Sequence, residues 1–171
     1  MRPSLLFVHS PVTGPSTWTG VADALRRRGF RCALPDLRSA LAQGPPFYPR
    51  LAAAAASTVT GGGAVVLVGH SAAGPLLPVI GEAVAAPVRG VFVDAQLPHP
   101  GRSWFDAAPV VLRDQLLAMA EPRVPVAYFE EVAPVTRRLG KRWAYLRFSA
   151  GFDDAADDAE RRGWRVERRD W

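Results

Sequence analysis

The segment Val65-Val66-Leu67-Val68-Gly69-His70-Ser71-Ala72-Ala73-Gly74 holds the residues best suited to chemistry. Its unbroken apolar run predicts a buried strand ending at Gly69, with a helix starting directly after Ser71. So sharp a turn strains the serine backbone and leaves little room two residues to either side, which accounts for Gly69 and Ala73. The Ser71 hydroxyl would stand above the sheet at a helix N-terminus, where free N–H groups favour developing negative charge. That is the setting of a serine that attacks a carbonyl carbon. The same pattern also suits a serine that only caps a helix after a strand.

A second cluster, Phe7-Val8-His9-Ser10-Pro11 followed by Gly14 and Trp18, closes another apolar run. His99 lies in Leu97-Pro98-His99-Pro100, on a loop expected above the strand ends. Trp104, Phe105, Tyr128 and Phe129 suit either an apolar pocket or ordinary core beneath a lid. Other chemistries lack their motifs. Gly61-Gly62-Gly63 precedes a strand instead of following one, so it is no dinucleotide fingerprint, and no phosphate loop occurs. Three dispersed histidines and the lone Cys32, read as a buried strand thiol, form no metal site; neither metal nor cofactor is expected.

The elements that must position these residues follow from the apolar pattern. Runs at 5–8, 65–68 and 91–93 are unbroken, as in parallel strands covered on both faces. A short strand is expected over 31–34, a further one over 143–148, and a polar edge strand over 164–168. Helices are expected from Ser16 or Thr17, either serving as N-cap, to a C-terminal cap at Gly29. Others span 49–59, the stretch from 71 to about 85, 111–120 and 155–162. Strand and helix alternate, which predicts an α/β fold: a doubly wound, mostly parallel sheet with right-handed crossovers. The proline-rich stretch 96–140 breaks the alternation and reads as a cap inserted above the strand ends. One domain over 1–171 is expected.

Taken together, these motifs resemble the α/β-hydrolase superfamily, nearest to its small esterase, methylesterase and hydroxynitrile-lyase-like serine hydrolases. The residues that carry the likeness are His9-Ser10-Pro11 with Trp18, Pro35-Asp36-Leu37, Gly69-His70-Ser71-Ala72-Ala73, Val91-Phe92-Val93-Asp94 and Arg147-Phe148-Ser149-Ala150-Gly151-Phe152-Asp153. The resemblance implies a minimal α/β-hydrolase fold, Ser71 as nucleophile and the Ala72 N–H as an oxyanion donor. It places the triad carboxylate at Asp153, with Asp154 as the neighbour one residue along and Asp94 as a second acid position. Helix capping is the other role Asp153 suits.

Two departures bear on activity. Pro11 stands where the family's second oxyanion N–H is expected, and proline has none. The Ser10 hydroxyl or the Val12 N–H would have to replace it, or the donor is absent. The family's histidine lies in a loop after the last strand, whereas the sequence given holds only His9, His70 and His99. His9 reads as structural, His70 should point away from the serine, and His99 is the candidate that its loop could bring into reach. We therefore expect a C-terminally shortened copy of such an enzyme, and losing a terminal helix would also bare apolar sheet surface.

Composition bounds the partners. Hydrophobic residues make up 49% and charged ones 22%, which suffices for a real core. The net charge of +5 would suit nucleic acid, but Lys141 is the only lysine and the arginines are scattered among acids, as on solvated helix faces. No apolar run approaches the length of a membrane span or signal peptide. We expect a cytoplasmic protein with a small-molecule substrate, no nucleic acid and no membrane; its oligomeric state is open. Two functions follow: a serine hydrolase acting on a small acyl or ester compound, or a non-catalytic relative that binds a small molecule.

Overall fold

The computed structural model describes residues 2–108, 110–120, 124–136 and 142–169. Six strands form one parallel sheet: β1 (Ser4–Val8), β2 (Arg31–Ala33), β3 (Val65–Ser71), β4 (Val88–Ala95), β5 (Trp143–Arg147) and β6 (Arg165–Arg168). Their order is β2-β1-β3-β4-β5-β6, so the polar β6 lies at an edge, as its arginines predict.

Helices cover the two faces unequally. The helix α1 (Ser16–Arg27) returns the chain from β1 to β2 and seats Trp18 and Ala22 on Phe7. On the opposite face lie α3 (Phe47–Ala56), α4 (Leu76–Ala83) and α8 (Asp153–Arg161). Leu51, Ala55, Leu77, Ile80, Ala156 and Ala159 from these helices are buried in one cluster with Leu6, Leu67, Phe92 and Tyr145 of the strands. Side chains alternate along a strand, so each strand's apolar run serves both layers, and interruption by a polar residue would expose one of them. Close packing reaches the backbone at Gly90, where a Cβ would lie 1.9 Å from the Trp143 ring.

Several boundaries depart from the sequence pattern. The helix expected directly after Ser71 begins only at Leu76. Residues 72–75 form a tight turn with Ala73 N–H donating to the His70 carbonyl and Gly74 N–H to that of Ser71. Pro75 is the residue that admits the α-helix, since it stands where no intrahelical donor is needed. Neither Ser16 nor Thr17 caps α1; Pro15 holds the N-cap position without a side-chain bond, while Gly29 past the other end has the expected positive φ of 81°. Cys32 is half-buried, less enclosed than its apolar neighbours suggest. The short helix α2 (Arg38–Ala42) has too few residues to show a period and was not expected.

The described residues of 96–140 include α5 (Trp104–Ala107), α6 (Val110–Ala120) and α7 (Val126–Glu130). Trp104, Tyr128 and Phe129 are fully buried, so they serve as core, and Phe105 stacks on Phe129. This cap is pinned to the body by Glu131. Its carboxylate accepts the Phe47 N–H at 2.8 Å and the Tyr48 N–H at 3.0 Å, the free donors that open α3. Among the described residues no helix is long and apolar enough to cross a membrane.

Candidate active site

Ser71 sits at the C-terminal end of β3 with φ at +56°, a region that non-glycine residues rarely occupy. The pairing register slips between His70 and Ser71, so that Ser71 faces Ala95. The Gln96 N–H donates to the Ser71 carbonyl at 3.1 Å and fixes the turn from the neighbouring strand. Small residues are required around it. A Cβ on Gly69 would meet the Leu77 side chain at 2.9 Å, and one on Gly74 would lie 1.8 Å from the Gln96 carbonyl oxygen. Ala72 and Ala73 are buried, and the Ala72 N–H has no backbone partner among the described residues.

The β1 loop is built on a fixed imidazole. His9 is fully buried; its Nδ1–H donates to the Ser10 carbonyl at 2.8 Å, and its Nε2 accepts the Leu37 N–H at 3.0 Å. Burial holds its pKa below the ordinary 6.5, so the ring is neutral. With both nitrogens engaged, His9 joins the loop to the end of β2 and has no lone pair left for catalysis. Ser10 is buried as well, and its Oγ accepts the Val12 N–H at 3.4 Å. Pro11 supplies no N–H, and the Ser10 hydroxyl proton has no acceptor among the described residues.

The acidic positions differ sharply in setting. Asp94, one residue before the end of β4, has φ at +38°, is buried, and accepts the Phe148 N–H at 2.7 Å and the Ser149 hydroxyl at 2.8 Å. Each carboxylate oxygen is thereby held by one donor. Beside it the Tyr145 hydroxyl donates to the Ala95 carbonyl at 2.8 Å and accepts the Ala95 N–H at 3.0 Å. Asp153, by contrast, is half-exposed at the first turn of α8 and pairs with Arg147 at 2.6 Å. Asp154 is exposed. The partners of Asp94 are 54 and 55 residues away in sequence, so no local pattern reveals them.

The remaining histidines do not meet Ser71 through a hydrogen bond among the described residues. His70 packs edge-on to Trp18, its Nδ1 buried without a partner; burial lowers its pKa and the Asp94 charge opposes that. His99 packs against Trp104 and borders a cleft of about 440 Å³ whose walls include Gln96, Arg102, Asp158 and Arg162 but not Ser71. Burial lowers its pKa too. Among the described residues no group of three or more histidine, cysteine or acidic side chains could hold a metal ion.

Known proteins share this architecture. An extracellular α/β-hydrolase from a Paenibacillus species superposes with a TM-score of 0.66 at 15% identity, covering 99% of this chain and 90% of that one. Tomato methylketone synthase I, complexed with beta-ketoheptanoate, gives 0.63 at 13% identity, with 99% and 89% covered. The NocB thioesterase domain, in covalent complex with a fluorophosphonate nocardicin G analog, gives 0.59 at 20% identity, with 100% and 85% covered. At such identities the likeness concerns the fold. No curated protein matches the sequence. The family model described as "Alpha/beta hydrolase family" matches residues 5–171. From the strained serine at the end of β3 to the parallel sheet beneath it, this chain belongs to the alpha/beta hydrolase family.

Proposed function

We propose that the protein is a serine hydrolase acting on a small, mostly apolar ester or related acyl compound, with Ser71 as nucleophile. The observation that carries this is the positive φ of Ser71 at the end of β3, strain that a helix-capping serine has no need of. Once a base takes the hydroxyl proton, Ser71 Oγ attacks the carbonyl carbon while the oxygen that gains charge meets the Ala72 N–H. The C–O bond to the alcohol then breaks, the proton passes to the departing alcohol, and water hydrolyses the acyl-Ser71 ester to the free acid. The Ser10 hydroxyl replaces the N–H that Pro11 lacks; a donor at such a site contributes about 3 kcal/mol to the transition state. Asp94, buried and held by two donors, fits the orienting carboxylate better than Asp153, which Arg147 already engages. We place the protein in the cytoplasm, as one domain over 1–171, with a small molecule and not nucleic acid as its partner.

A non-catalytic role is favoured by one observation: no described histidine hydrogen-bonds Ser71, whose hydroxyl needs a base to be nucleophilic at neutral pH. In that case the site binds a small molecule without turnover. Reaction of the purified chain with a fluorophosphonate, read by intact mass beside Ser71→Ala, separates the two. Labelling that needs Ser71 supports the hydrolase, and a folded chain that stays unlabelled supports the binding protein.

A further inference from the structure

The strand β4 loses one neighbour before the other. Its pairing with β5 stops at Val93 opposite Leu146, whereas its pairing with β3 runs on to Ala95 opposite Ser71. Between the two stops Asp94 turns the chain with φ at +38°. Ala95 therefore lies past the last β5 pair and is fully buried, with an N–H and a carbonyl that need partners. A side chain supplies them. Tyr145 Oη donates to the Ala95 carbonyl at 2.8 Å and accepts the Ala95 N–H at 3.0 Å, so one hydroxyl satisfies both polar groups of one residue.

Packing alone does not call for that hydroxyl. Tyr145 is fully buried with its ring parallel to that of Phe92, a place that phenylalanine would fill without taking a hydroxyl out of water. Burial pushes the phenol's pKa above the ordinary 10, so the group stays protonated and keeps both bonds. What those bonds hold is the residue between Asp94 and Gln96. On one side stands the carboxylate that accepts from Phe148 and Ser149. On the other, the Gln96 N–H holds the Ser71 carbonyl at 3.1 Å. Ala95 is thus the covalent link between the acid and the anchor of the serine turn.

We infer that Tyr145 is a positioning residue for Ser71: its grip on Ala95 sets the serine turn against the Asp94 carboxylate. The inference rests on the reading of Ser71 as nucleophile and Asp94 as its orienting acid. Tyr145 acts through Ala95 and not on the reacting atoms.

The test is Tyr145→Phe in the whole chain, with fluorophosphonate labelling of Ser71 followed over a range of probe concentrations. A displacement of about 1 Å can cost about a hundredfold in rate. The maximal labelling rate should therefore fall at least about tenfold, while the half-saturating concentration stays within about twofold. Exchange of the Ala95 amide should quicken. Trp164→Leu loosens the same aromatic cluster directly before β6. It should lower the urea midpoint yet leave the maximal rate within about twofold. Should Tyr145→Phe not fold, 4-aminophenylalanine in place of Tyr145 keeps a donor to the Ala95 carbonyl and should still slow labelling. A lower urea midpoint with an unchanged maximal rate would make Tyr145 structural only, and overturn the inference while the hydrolase reading stands. Equal slowing in Trp164→Leu would do the same. A wild-type chain that does not label would remove the hydrolase reading, and the inference with it.

Discussion

Gly74 and Gln96 touch backbone to backbone: a Cβ on Gly74 would stand 1.8 Å from the Gln96 carbonyl oxygen. The Gln96 N–H also holds the Ser71 carbonyl, so one residue of the β4 end grips the serine turn twice. Because the obstacle is backbone, it has little freedom to yield. Gly74→Ala should therefore cost about 3 kcal/mol, at the upper end for overpacking, and misplace Ser71. Chemical denaturation and fluorophosphonate labelling of the same variant measure both effects; wild-type values in both would show that the turn has slack.

Asp94 and Asp153 should separate cleanly on substitution. Asp94→Asn keeps the shape but turns an N–H₂ group toward the Phe148 N–H or the Ser149 hydroxyl, and removes the charge. We expect Ser71 labelling to slow at least about tenfold, since loss of an orienting carboxylate in a serine triad is expensive in rate. Asp153→Asn removes only a half-exposed pair with Arg147 and should leave labelling within about twofold. The opposite ranking of labelling rates would return the acid to Asp153.

Stability should fall as pH drops from 7 toward 5. Burial lowers the pKa of His9, His70 and His99 below 6.5, so the unfolded chain takes up their protons first. More protons bound by the unfolded state means that stability is full above 6.5 and declines below it, by at most about 1.4 kcal/mol per pH unit for each histidine. The Asp36 carboxyl, held near 2 first by its hydrogen bonds from Arg38, titrates outside this window. Urea midpoints at pH 7, 6 and 5 check the slope; a flat profile would contradict the buried neutral His9 in particular.

Glu131 gives the cap a testable anchor. Its carboxylate accepts two N–H groups at the start of α3, so Glu131→Ala leaves both without that partner. A loss of about 1–2 kcal/mol is expected, in the range of an N-cap. Amide exchange should quicken at Phe47 and Tyr48 and across α7. Exchange that quickens nowhere in the cap would mean that its aromatic packing alone holds it.

Much of this architecture was legible in the residues, and for definite reasons. Buried parallel strands need unbroken apolar runs, so β1, β3, β4 and β5 announced themselves, and the arginines of β6 marked an edge. The serine turn was visible because it demands small residues at fixed distances. What stayed hidden depended on local backbone geometry, or on contacts across the chain. Pro75 delays α4 through local backbone geometry that apolar periodicity does not register. Ser16 looked like a cap yet lies inside α1, because Pro15 already sets the entry dihedrals. Asp94 appeared as one acid among several, since its donors come from a strand end more than fifty residues later. Glu131 gave no signal at all, for its helix lies 83 residues away.

The central claim, that the strain at Ser71 serves catalysis, is met most directly by intact-mass measurement after fluorophosphonate treatment of the folded chain and of Ser71→Ala. We predict a single phosphonyl adduct on the wild-type chain and none on the variant. A folded wild-type chain that gains no mass, or a variant that gains the same mass, would contradict it.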